Sequence, residues 1–166
     1  HCKGVIMLGG VNKHFHWDDD AVAEQVTTLT AAMPQVHWQI SDSPRTPATL
    51  KEKLSLPDNA SLVHWRDTPD GWLSGELATS NYVWVSADSA SMLYEALSHG
   101  GRVGAIELLP VKEQNKLVRG LGLLFDKGLL GRSSHGSLEL QKINDITLSE
   151  HTRCAQWIVD KWFARV

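Results

Sequence analysis

The sequence predicts an α/β fold, a Rossmann-like three-layer α/β/α domain built on a mainly parallel sheet. Three observations predict it. Short apolar, β-branched runs alternate with helix-period segments along the chain. Most of these runs stop at small or turn-forming residues: Gly9-Gly10, then SDSPRTP, RDTPDG and SADSAS. And one stretch, NYVWVSADSASMLYEALSHGGRVGAIELLP from Asn81 to Pro110, carries a whole strand–helix–strand unit with a hydroxyl-rich first turn.

Taken in order, Val5 to Leu8 is a buried strand entering a glycine turn. Asp18, Asp19 and Asp20 stand where a helix begins, favoured by the partial positive charge there. Val22, Val26, Leu29 and Met33 continue at helical spacing until Pro34. Val36 to Ile40 is the next strand. Thr46-Pro47 then reads as a hydroxyl N-cap followed by proline at the first helical position. Ser61 to Trp65 is a strand and Trp72 to Ser80 a helix. Tyr82 to Val85, Met92 to His99 and Val103 to Ile106 form the strand–helix–strand unit. Glu113 to Asp126 is an amphipathic helix with Leu117, Val118, Leu121, Leu124 and Phe125 inward; GLLGRSSHGS is a loop. Leu148 to Val166 closes the chain as a helix with Cys154, Trp157, Ile158 and Trp162 on its apolar side.

The 166 residues suit one compact domain, 1–166, and 42% apolar with 21% charged residues is ordinary for a globular protein. Sixteen Lys and Arg against nineteen Asp and Glu, without a basic run, argue against a nucleic-acid partner. No apolar run approaches a membrane span of about 20 residues. Two cysteines, Cys2 and Cys154, cannot form a disulfide framework, which favours a reducing compartment and a cytoplasmic location. The chain starts at His1 and runs almost directly into a strand, which leads us to expect sequence upstream of it and a longer two-domain protein.

In a parallel sheet, ligands gather at the carboxyl ends of the strands. The loops there carry glycine, hydroxyl, amide and cationic groups suited to a phosphorylated ligand. Gly9 and Gly10 bring backbone close, Lys13 and Arg45 supply charge, and Asp88, Ser89 and Ser91 surround a helix start that binds anions through its amides. Glu95 falls on the same helical side as Asp88 and Ser91, one turn along, where a carboxylate reaches vicinal ribose hydroxyls. Each has a plainer reading as well: a glycine turn, a helix cap, a surface arginine, a solvated glutamate. His14 and His16 lack a third ligand at zinc-like spacing, so no metal is expected. No nucleophile elbow supports Ser/His/Asp catalysis.

LGGVNKHFHWD, the SPRTP loop, SADSASMLYEALSHGGRV and LSEHTRCAQWIVDKW resemble, in that order, the carboxyl-terminal half of the elongated-mitochondria family of mitochondrial fission proteins. That family is similar to the GT-B glycosyltransferases, in which two Rossmann-like halves face across a cleft and the second holds the nucleotide-sugar donor. The resemblance implies the C-terminal half of a GT-B-like fold in a glycosyltransferase-like protein. Its ligand would be a nucleoside-diphosphate sugar as donor, with no separate cofactor, and its partner the N-terminal half of the same protein. By the same resemblance Gly9 and Gly10 lie beneath the donor phosphates, Ser89 and Ser91 donate to them, and Glu95 binds the ribose. Pro44 stands where a second arginine is expected. The catalytic residues would come largely from the other half. Two other readings stay open: an interaction protein that keeps the fold without transfer activity, and a free-standing flavodoxin-like anion-binding domain.

Overall fold

The computed structural model describes residues 2–99 and 101–133; the predicted helix from Leu148 to Val166, with Cys154, lies outside them. Strand β1 (Cys2–Met7) is followed by a two-residue strand β2 (Phe15–His16) and helix α1 (Asp19–Ala32). Then come β3 (Val36–Ser41), α2 (Ala48–Lys53), β4 (Ala60–Val63), a 3₁₀ turn (Trp65–Asp67) and α3 (Trp72–Thr79). The remainder is β5 (Tyr82–Ser86), α4 (Ala90–Ser98), β6 (Arg102–Ile106), β7 (Leu109–Pro110), α5 (Lys116–Asp126) and β8 (Gly131–Arg132).

Six strands form one sheet in the order β4-β3-β1-β5-β6-β8, every neighbouring pair parallel. The chain winds outward from β1 through β3 to β4, returns beside β1 as β5, and continues outward to β6 and β8. This is the order of a doubly wound nucleotide-binding fold with its switch point between β1 and β5. Two strands beyond β1 on the first side distinguish it from the flavodoxin order.

Both faces are covered, so the strands alternate between two apolar cores rather than between core and water. Val5, Met7, Val83, Val85, Val103 and Ala105 meet Leu77 of α3, Leu93, Ala96 and Leu97 of α4, and Leu121 and Leu124 of α5. Ile6, Trp38, Ile40, Trp84 and Ile106 meet Val22, Val26 and Leu29 of α1 and Leu50 of α2. Two buried indoles on this second face lie over strand glycines in register with them: Trp38 over Gly4 and Trp84 over Gly104. A Cβ at either glycine would sit 2.3 Å and 2.5 Å, respectively, from the ring. The missing side chain on one strand is the space that the tryptophan on the next one fills.

Local chemistry sets the ends of the elements. Asp18 Oδ1 accepts from the Asp20 and Ala21 amides and caps α1. Asn115 does the same for α5 through the Leu117 amide (2.8 Å), so that helix starts at Lys116 and not at Glu113 as its periodicity predicts. Thr46 is not the cap expected of it. Pro47 occupies that position with no side-chain bond, and the Thr46 hydroxyl turns back to donate to the Gly9 carbonyl. Two segments predicted as loops contain strands. β2 pairs antiparallel with β7, joining the segment after β1 to the segment after β6, and β8 extends the main sheet beside β6.

Candidate functional site

The parallel register places the loops after β1, β3, β4 and β5 along one edge of the sheet, and the first, second and fourth are knitted together. The Gly9 N–H donates to Ser86 Oγ (2.7 Å), and the Ser86 hydroxyl donates to Asp88 Oδ1 (2.5 Å). The Gly10 N–H donates to Asp88 Oδ2 (3.0 Å). Arg45 Nη1 donates to the same oxygen (2.9 Å) and to the Gly10 carbonyl (3.2 Å). Asn12 Nδ2 adds a bond to the Asp88 carbonyl (3.1 Å), and Ser43 Oγ one to the Gly9 carbonyl (2.7 Å). No room is left between these groups. A Cβ at Gly9 would lie 2.2 Å from Asp88 Oδ2, and one at Gly10 would lie 2.0 Å from the Arg45 carbonyl oxygen.

This revises how two of the expected roles are filled. Gly9 and Gly10 do approach an anion closely, but the anion is the chain's own Asp88, whose side chain is fully buried. Both glycine amides are satisfied internally, and both carboxylate oxygens are occupied. Asp88 is therefore the clasp of the switch point and not a group facing solvent. What it holds outward is Arg45, whose side chain is 41% exposed and has its remaining guanidinium hydrogens free of partners among the described residues.

Helix α4 begins immediately beyond that clasp. Ser89 is its N-cap residue, yet its side chain makes no capping bond; its hydroxyl instead faces Ser91 Oγ (3.4 Å). Among the described residues the Ala90, Ser91 and Met92 amides have no acceptor, and they carry the positive end of the helix dipole. Ser89 is buried, while Ser91 and Glu95 are exposed, and Glu95 has no hydrogen-bond or ion-pair partner among the described residues. The structure thus brings Arg45, Ser89 and Ser91 to one helix start, with Glu95 one turn further. Lys13 does not join them. It lines a separate recess with His14, Val111, Lys112 and Asn115.

Sequence reasoning missed the supports of this edge. Gln25, on α1, donates to the Glu107 carbonyl (2.9 Å) and accepts from the Glu107 amide (2.9 Å), pinning the segment after β6. Asp42 accepts from the Trp65 amide (2.6 Å) and bonds His64 Nδ1 (2.6 Å), pinning the segment after β4. Nothing in the periodicity distinguishes either from a surface polar residue. Among the described residues there is no group of three or more His, Cys, Asp or Glu able to hold a metal ion. Nor is any described helix long and apolar enough to cross a membrane.

Comparison with solved structures shows the same fold in a protein described as a UDP-N-acetylglucosamine 2-epimerase from Listeria monocytogenes, with a TM-score of 0.53 at 15% identity over 78% of this chain and 32% of that one. S. aureus MnaA, solved with UDP, also matches with a TM-score of 0.53 at 15% identity, over 96% of this chain and 38% of that one. The chain therefore spans about a third of each of these proteins. A described tail tube protein of Haemophilus phage HP1 is 38% identical over 48 residues, which are 29% of this chain and 32% of that protein; so short a match assigns neither fold nor role. A sequence model of mitochondrial fission ELM1 matches residues 1–162, nearly the whole chain, and the chain belongs to that family.

Proposed function

We propose that the switch-point edge binds the diphosphate of a nucleoside-diphosphate sugar, making this chain the donor-binding half of a GT-B-like glycosyltransferase or epimerase. One observation carries the reading: a buried carboxylate holds Arg45 beside the uncapped first turn of α4. A fixed guanidinium and a set of oriented amides together make a site for a diphosphate. Ser89 and Ser91 add hydroxyl donors, and Glu95 lies one turn along, where the ribose of a nucleotide so bound would place its hydroxyls. Gly9, Gly10 and Asp88 act by positioning Arg45. The fold shared with S. aureus MnaA, solved with UDP, supports the reading.

The chemistry asked of such a half-site is electrostatic. As the bond between sugar and diphosphate breaks, charge grows on the leaving phosphate; the α4 dipole and Arg45 offset it without moving. The acid–base groups and the acceptor site would belong to the facing half.

Calorimetric titration of UDP, GDP and CMP into the full protein tests this. Arg45→Gln is expected to weaken the preferred nucleotide by about tenfold or more, the worth of a charge-assisted bond. Glu95→Ala should weaken the same ribonucleotide, by loss of the acceptor for its ribose hydroxyls. No binding by the intact protein, or binding as tight as the parent's in both variants, overturns the assignment.

An interaction protein that keeps the fold without transfer activity is the second reading. Leu109 and Val11, 75% and 59% exposed, favour it, because they place apolar surface on segments beside the candidate site. It predicts a folded protein that binds none of the nucleotides and loses its protein partner when Leu109→Asp is introduced.

A further inference from the structure

We infer that the recess lined by Lys13, His14, Val111, Lys112 and Asn115 is a second anion site, taking an oxyanion group, carboxylate or phosphate, of a substrate. It is distinct from the diphosphate seat at Arg45, and its argument stands on the recess alone.

The first observation is charge. The recess has a volume of about 340 Å³, two lysines line it, and no acidic side chain among the described residues does. Among the described residues neither Lys13 nor Lys112 has an ion-pair partner, although five other ion pairs form there. Two ammonium groups sharing a cavity repel each other, and an entering anion relieves that repulsion.

The second is the histidine. Asn115 Oδ1 accepts from the Leu117 amide (2.8 Å), so the orientation of this side chain is set and its Nδ2 is the atom that faces His14 Nδ1 (2.7 Å). An amide nitrogen only donates, so His14 Nδ1 must be the accepting nitrogen and the ring hydrogen is on Nε2. The imidazole is held as a donor at Nε2. A ring N–H on a residue that lines the recess together with two lysines suits an oxyanion and not a metal cation.

The third is preorganisation. Lys13 and His14 come from the segment after β1 and Lys112 from the segment after β6, 99 and 98 residues further along the sequence, yet three tethers lock them together. β2 pairs with β7, the Val111 amide donates to the His14 carbonyl (2.9 Å), and Gln25 grips Glu107 from both sides. A cationic recess held in shape before any ligand arrives loses little entropy on binding. If the donor reading holds, an acidic sugar or a phosphorylated acceptor is the substrate class that this recess selects.

The test is a nuclear magnetic resonance titration of the full protein at constant ionic strength, with inorganic phosphate in one arm and glucuronate in the other. The His14 ring and the Lys13 and Lys112 amides are the reporters. Saturable shifts are expected, with the dissociation constant rising about tenfold in Lys13→Gln and in Lys112→Gln. The arm that saturates at lower concentration identifies phosphate or carboxylate as the preferred group. Both lysines are exposed, so thermal melting of the variants should match the parent. Linear shifts in both arms, or saturation unchanged in the Lys13→Gln/Lys112→Gln double variant, overturn the proposal. A UDP titration followed at the Ser91 and Met92 amides reports separately on the donor site, so that either can fail without the other.

Discussion

Arg45 Nη1 lies 2.9 Å from Asp88 Oδ2, a half-exposed cation joined to a carboxylate with no exposed side-chain surface. The pair fastens the loop after β3 to the loop after β5, across the intervening glycine turn of β1. Asp88 also accepts from the Gly10 amide and the Ser86 hydroxyl, so its charge is shared among three donors, two on the loops after β1 and β3 and one at the end of β5. Asp88→Ala should cost about 2–3 kcal/mol, since buried donors lose their acceptor while Arg45 can still turn to water. Urea denaturation measures it. An unchanged midpoint would show that the clasp is not what orders this edge.

Gly104→Ala places a methyl group where Trp84 now sits, with a Cβ only 2.5 Å from ring carbon Cζ3. Overpacking of this kind costs about 1–3 kcal/mol. In a Trp84→Leu background the same substitution should cost much less, because the ring it collides with is gone. A double-mutant cycle by thermal melting reads that coupling directly.

Gln25 uses its amide as a false strand, donating to the Glu107 carbonyl and accepting from the Glu107 amide. Gln25→Glu retains the shape but sets a carboxylate oxygen against a carbonyl oxygen. We expect a loss of about 1–3 kcal/mol, with faster hydrogen exchange at Glu107 than at the β1 amides. Uniform exchange across the sheet would argue that the segment after β6 needs no such anchor.

Asn59 Nδ2 is within bonding distance of the Thr30, Met33 and Val36 carbonyls, at 3.2, 3.2 and 2.9 Å, closing the end of α1 onto β3. Asn59→Ala strands these acceptors and should lower stability by about 1–2 kcal/mol. Asn59→Asp should be worse, because it adds charge repulsion to the lost donor. If the aspartate variant melted with the parent protein, the side chain's role as a donor would be refuted.

Much of the architecture was legible in the residues. Asp18, Pro34 and the SADSAS turn mark boundaries by local chemistry, and alternating apolar runs with helix-period segments leave few arrangements other than a doubly wound sheet. The short strands were not legible. β2, β7 and β8 span two residues each, and a two-residue strand has no period to detect; each exists because a distant segment supplies its partner.

For the candidate site, the sequence alone determined which loops carry the polar groups and that they follow parallel strands. Gly9, Gly10, Arg45, Asp88, Ser89 and Ser91 do gather at one edge, because every strand that precedes them points the same way. Only the tertiary structure decided who partners whom. Whether an aspartate meets an external ligand or the chain's own amides depends on separations of an ångström between loops 34 to 78 residues apart, and no local pattern encodes that distance. The same cause separates Lys13 from Arg45 and draws it toward Lys112: the pairing of β2 with β7 is a long-range contact, and it, not residue type, sets which charges share a recess.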